Sequence, residues 1–153
     1  MNIATADLAT WNAAAVADPN LTAAIAAGGV TDIVNYYNTV PASPTMLWMP
    51  AVPLASIKSA IDWTSDANGF QTLTATKQNA YIALTGDGAA LDATQANIRS
   101  AFSSIFPAAI VTALTAASQT GATRFQALFT TSNVTKYWGY QVSQTDVIAM
   151  LAA

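Results

Sequence analysis

The sequence predicts an all-α fold: a compact single-domain bundle of about six to seven short helices, with a proline-rich apolar segment and one small β-hairpin or extended loop. Three observations lead there. Apolar residues recur at intervals of three and four in most segments, and Pro, Gly-Gly and capping residues punctuate those segments at helical lengths. A chain of 153 residues is also long enough for one core that buries about two-thirds of its unfolded surface. The expected layout over residues 1–153 is short N-terminal helices in 1–38, a Pro-rich clasp in 39–53 and main helices in 54–130. An aromatic loop or hairpin follows in 131–142 and a terminal helix in 143–152.

Thr5 stands as cap of a first helix through Asp7, Leu8, Trp11 and Ala15, closed by Pro19, and Asp7 suits the positive end of that helix. A second, NLTAAIAA, begins near Asn20 and stops at Gly28-Gly29, where a left-handed residue is easily accommodated. Thr31 caps VTDIVNYYN, which sets Val30, Ile33, Val34 and Tyr37 on one side. Pro41, Pro44, Pro50 and Pro53 then bias the residue before each towards extended backbone, so this stretch is a linker or clasp. Within it Met46 to Met49 is a short strand or an irregular apolar run.

With Pro53 at the first helical position, Leu54, Ile57 and Ile61 mark a helix that ends at Trp63, its ring towards a core. Asp66 is placed to cap the next, through Phe70, Leu73, Lys77, Ala80, Tyr81 and Leu84 to TGDG; Gly69 and the threonines lower its helicity, so packing must help. Asp92 caps ATQANIRSAFSSIFP, where Ile98, Phe102 and Ile105 form a ridge. Pro107 opens AAIVTALTAASQTGATRFQALFTT, in which Ile110, Leu114, Ala117, Gly121, Phe125 and Leu128 keep the most regular helical period in the chain. TSNVTKYWGYQVS reads as the hairpin or loop. Ser143 caps QTDVIAML with Asp146 at the third position, the acidic half of a capping box.

Hydrophobic residues make up 53% of the chain and charged ones 8%, against a usual charged share of about 25%. A surface so weakly charged repels its own copies poorly, which fits faces covered by neighbours in an assembly. The plain alternative is an Ala-rich domain kept soluble by neutral polar groups. Lys58, Lys77, Arg99, Arg124 and Lys136 are scattered singly and the net charge is −3, which argues against a nucleic-acid face. The N-terminal stretch lacks the pattern of a secretory signal and no apolar run approaches the roughly 20 residues of a membrane span, so a soluble protein without a membrane partner is expected.

The chain contains no Cys, His or Glu, which removes thiolate chemistry and the commonest general base and metal ligand. The aspartates at 7, 18, 32, 62, 66, 87, 92 and 146 stand mostly at expected helix starts, where capping accounts for them. Asp62 with Asp66, or Asp87 with Asp92, falls short of a calcium loop's ligand count, so capping or turn formation is expected rather than a metal. SIKSA around Lys58 offers Ser beside Lys without further partners, and GDG at 86–88 lacks the spacing of a phosphate loop. No catalytic residue and no cofactor is therefore assigned. KYWGY, residues 136–140, reads as a packed hairpin in preference to a stacking platform for single strands or sugars. Trp48, Met49, Tyr137, Trp138 and Tyr140 are the candidate exposed contact residues, because aromatic and Met side chains anchor interfaces. Trp11, Trp63, Phe102 and Phe125 fall on helical periods and are assigned to the core.

In order, NTVPASPTMLWMPAVPLASIKSAIDW, ATKQNAYIALTGDGAALDATQANIRSAFSSIF, ATRFQALF and VSQTDVIAML resemble a family of small tailed-bacteriophage virion structural proteins. The matched order covers roughly residues 27 to 151. Two departures stand out: the family commonly has Arg where this chain has Met49, and an acidic residue where Phe125 or Gln126 stands. The resemblance carries no catalytic residues. It implies a non-enzymatic virion component at the neck or tail, present in the host cytoplasm during assembly, built as a homo-oligomeric ring and contacting other virion proteins. A capsid decoration protein and a tail-assembly chaperone absent from the particle are the alternatives. A small enzyme acting on cell-wall polymers is disfavoured by the missing His and Glu.

Overall fold

A computed structural model describes residues 2–64, 69–86 and 88–153. The expected cap Asp66 and the loop residue Asp87 lie outside the described residues. The chain is mostly helical but not purely so: among the described residues six very short strands join in three two-stranded pairs. Residues cluster into two units, a central one from Met46 to Thr120 and a terminal one made of the segments on either side.

The terminal unit contains α1 (Thr5–Ala17), α2 (Thr22–Ala26), α3 (Val30–Asn38), α8 (Arg124–Leu128), β5 (Thr130–Thr131), β6 (Val134–Thr135) and α9 (Gln144–Leu151). Its core gathers Trp11, Leu21, Ile33, Tyr37, Phe125, Tyr137, Val147 and Met150. Trp11 sits edge-on to Tyr37 and Phe125, with centroids 5.2 and 5.0 Å away, a geometry that adds to simple area burial. The core side of α3 is as expected, with Ile33 and Tyr37 buried and Val30 and Val34 packed beside them. Gly28 closes α2 at φ 65°, a left-handed value that glycine adopts without penalty. Neither Thr5 nor Thr31 caps, however: both lie inside their helices, behind Ala4 and Gly29, and neither helix start has a side-chain cap bond. The β5–β6 hairpin turns at Ser132-Asn133, both with positive φ (51° and 63°), the turn whose twist matches paired strands. It lies at the start of the expected aromatic segment, before Gly139.

The central unit contains β1 (Met46–Trp48), β2 (Val52–Pro53), α4 (Leu54–Ser59), a 3-10 turn (Phe70–Thr72), α5 (Ala75–Thr85), β3 (Ala90–Leu91), α6 (Ala96–Ile105), α7 (Ala108–Ala117) and β4 (Gln119–Gly121), whose last residue belongs to the terminal unit. β1 pairs with β4, and β2 runs antiparallel to β3 with Val52 opposite Leu91. Leu54, Ile57, Ile61, Tyr81, Phe102, Ile105, Phe106, Ile110 and Leu114 fill the core. Pro53 caps α4 from the extended region rather than entering it.

Three expectations change here. The helix expected from Asp66 to Leu84 breaks at Leu73, because Thr74 starts α5 afresh by accepting a bond from the Lys77 N–H. Asp92 does not cap α6 directly: its carboxylate accepts from the Thr94 N–H and hydroxyl and from the Gln95 side chain, making a turn before the Gln95 N-cap. The long helix expected after Pro107 is α7, β4 and α8 in succession, so Ile110 and Leu114 enter one core and Phe125 the other.

Candidate functional site

The apolar clasp is where sequence and structure converge on a site. Prolines at 44, 50 and 53 keep this stretch extended, and backbone bonds on both sides hold it: the Met49 N–H donates to the Ser118 carbonyl and the Ala93 N–H donates to the Met49 carbonyl, each at 3.0 Å. Trp48 and Met49 are half-buried against the central core. They fold back onto their own unit.

Beside them lies a cavity of about 230 Å³. Val52, Ile57, Phe102 and Leu114, all buried, line its deep part, while Trp48, Ile98, Arg99 and Val111 are half-exposed and Ser103 is exposed. Arg99 is the one charged residue of the lining. Its Nη1 donates to the carbonyls of Ala93 and Thr94, both at 2.7 Å, and its guanidinium lies 4.8 Å from the Trp48 ring centroid. The turn built on Asp92 supplies those two carbonyls. Asp92 itself is held below the usual carboxylate range, chiefly by the Thr94 hydroxyl.

The second candidate cluster lies in the terminal unit and divides differently from expectation. Tyr137 is 4% exposed and belongs to the core; its hydroxyl donates to Asp7, whose other oxygen accepts from Lys136 at 2.7 Å. Tyr140 is half-buried, and Trp138 is exposed. Of the five candidate contact residues, Tyr137 is thus withdrawn from the surface by its neighbours in the fold. The Lys136 and Tyr137 bonds hold Asp7 below the usual carboxylate range, the lysine contributing most.

Trp63 also changes place. Expected in the core, it is 42% exposed, with its indole N–H donating to the Lys58 carbonyl at 2.8 Å and its ring resting on Phe70. Trp11, Phe102 and Phe125 are buried as expected. Among the described residues no group of three carboxylates gathers as a metal site, and no helix is long and apolar enough to cross a membrane. Several of the described aspartates serve the fold: Asp18 accepts from Asn20 and Tyr36, Asp62 from the Thr64 N–H, and Asp146 from Ser143.

Sequence reasoning missed Arg99, which looks like one of five isolated cations. Its partners are backbone carbonyls, which leave no mark in residue identity. No family model, no curated protein and no solved structure matches the chain.

Proposed function

We propose that this chain is a non-enzymatic structural protein of a tailed bacteriophage particle, assembling as a ring of copies at the neck or tail and bridging other virion proteins. The observation that carries the reading is the surface: large apolar side chains stand in solvent on a chain with very few charges. In the terminal unit Val16 is 65% exposed, Ile148 60% and Trp138 37%; in the central unit Ile82 is 60% exposed. Ile148 and Leu151 are spaced three apart on α9 and form an exposed strip beside the buried face of Val147 and Met150. Such side chains are normal singly, but without charges around them they favour contact with copies or partners. The resemblance of the motif order to that phage family supports the same reading.

Sedimentation of the purified chain tests assembly. The wild type is expected to sediment as a closed oligomer, and Trp138→Ala combined with Ile148→Ser to weaken association by about tenfold or more, a hot-spot effect. The thermal midpoint of that variant should stay close to the wild type, since exposed positions usually cost under about 0.5 kcal/mol each. Trp48→Ala with Met49→Ala should behave oppositely and lower the stability by about 1–3 kcal/mol, because both side chains pack on their own core. A monomer at high concentration would defeat the ring. Mass spectrometry of purified virions then places the chain in the particle, and its absence there would make it an assembly chaperone. Antibody label over the whole shell instead of the neck or tail would make it a decoration protein.

A further inference from the structure

We propose that the cavity beside Trp48 is a binding site for a small amphiphilic carboxylate, an aromatic or short aliphatic acid whose apolar body enters the cavity and whose carboxylate meets Arg99. The inference stands independently of the virion reading, since it uses only residues of the central unit.

Size comes first. A dry apolar cavity of roughly 150 Å³ is enough to take benzene, and this one measures about 230 Å³. Its deep lining of Val52, Ile57, Phe102 and Leu114 offers water few hydrogen bonds, so an apolar group that displaces water from it gains free energy.

Charge decides the rest of the ligand. Both hydrogens of the Arg99 Nη1 are used on the Ala93 and Thr94 carbonyls, which leaves the Nη2 and Nε hydrogens to form a fork. Planar forks of this kind match a carboxylate with two parallel bonds. Among the described residues the one ion pair joins Lys136 to Asp7, and none of the described carboxylates pairs with Arg99. Asp92, which feels the Arg99 charge, spends its oxygens on Thr94 and Gln95. The guanidinium is already positioned by two carbonyls and the Trp48 ring, so little side-chain entropy is lost when an anion arrives. A hydrocarbon would leave this cation unanswered, and a bare inorganic anion would leave the apolar depth unfilled.

Isothermal titration of the full chain with 2-naphthoate, and with neutral 2-naphthylmethanol, tests the assignment. Saturable binding of naphthoate at one site per chain is expected, with the alcohol weaker by about tenfold or more for want of the charge-assisted fork. Arg99→Gln should bring naphthoate down to the level of the alcohol, and Val111→Trp, which fills the cavity from its half-buried rim, should abolish binding of both. A cooperative melt for each variant shows that lost binding is not lost folding; if Arg99→Gln does not fold, the comparison of naphthoate with the alcohol on the wild type still decides the role of charge. Absence of saturable naphthoate binding to the wild type, equal affinity for the two probes, or undiminished binding in folded Val111→Trp would each overturn the proposal. So would a failure of naphthoate to bind combined with self-association that Val111→Trp disrupts, which would give the cavity to a side chain of a second copy.

Discussion

Asp7 shows how one carboxylate ties distant parts of the sequence together. It sits in the first turn of α1, where the helix end favours an anion, yet its oxygens are used by Lys136 and Tyr137, about 130 positions later. The Lys136 side chain is 57% exposed, so solvent screens that half of the contact, whereas the Tyr137 hydroxyl is bonded within the core. Losing the charged acceptor is expected to cost about 1–3 kcal/mol at neutral pH. Because the folded carboxyl titrates below its unfolded value of 3.8, its contribution is complete above that value and disappears as pH falls through the lower folded one. Asp7→Asn should therefore lower the thermal midpoint at pH 7 and make it less sensitive to acid below pH 4, as differential scanning calorimetry would record. A wild-type acid limb unchanged in the variant would contradict this. The bland location of Asp7 at a helix start was legible in the sequence; its partners were not, since nothing local connects Asp7 with the aromatic segment.

At the scale of elements, the segment after Pro107 is the most instructive. Its apolar spacing of three and four runs unbroken across what is in fact a helix, a strand and another helix. Two features, one local and one tertiary, override that period. Thr123 and Gln126 form a reciprocal capping box, each side chain accepting from the other's backbone N–H, which starts α8 at Arg124. Gly121 lies against Val40 and Pro44 of the same unit, where an added Cβ would stand 2.9 Å from carbons of both. A proline ring yields little, so Gly121→Ala should destabilise by about 1–3 kcal/mol through overpacking. Thr123→Ala should cost about 0.5–2 kcal/mol through loss of the cap. Both are measurable by urea unfolding, and a Gly121→Ala protein as stable as wild type would show that the close approach is not required. The terminal helix makes the contrast: the Ser143 and Asp146 box read from the sequence is present in full, because both partners lie three residues apart.

For the whole molecule, titration sets a broad stability plateau. The chain has no histidine or cysteine, the side chains whose ordinary values lie nearest neutrality. The acid limb comes from Asp7, Asp18, Asp62, Asp92 and Asp146, all held below their ordinary values. On the alkaline side burial pushes Tyr37 up to about 12, and burial together with Asp146 does the same for Tyr140. A phenol whose folded value is raised contributes stability in full below its unfolded value of 10 and loses it as pH rises from there through the folded value. The thermal midpoint should thus be level through neutrality and fall above pH 10, with tyrosinate absorbance at 295 nm rising together with unfolding. Tyrosinate that forms fully while the fold persists would contradict the burial of Tyr37.

What the sequence by itself determined is mostly local. It marked the helix faces of α3 and α6, the cap of α9, the glycine stop after α2 and the extended clasp, because each depends on neighbours within about four residues. It also determined which chemistries the chain lacks residues for. Tertiary structure alone decided that Tyr137 goes inward and Trp63 outward, that two apolar clusters form, and that Arg99 lies over Trp48 beside a cavity. Those outcomes depend on pairings such as Asn38 with Val142, joined by two hydrogen bonds across 104 positions. Residue spacing encodes contacts along one turn of helix; contacts across such distances arise only when packing of the whole unit brings the partners together.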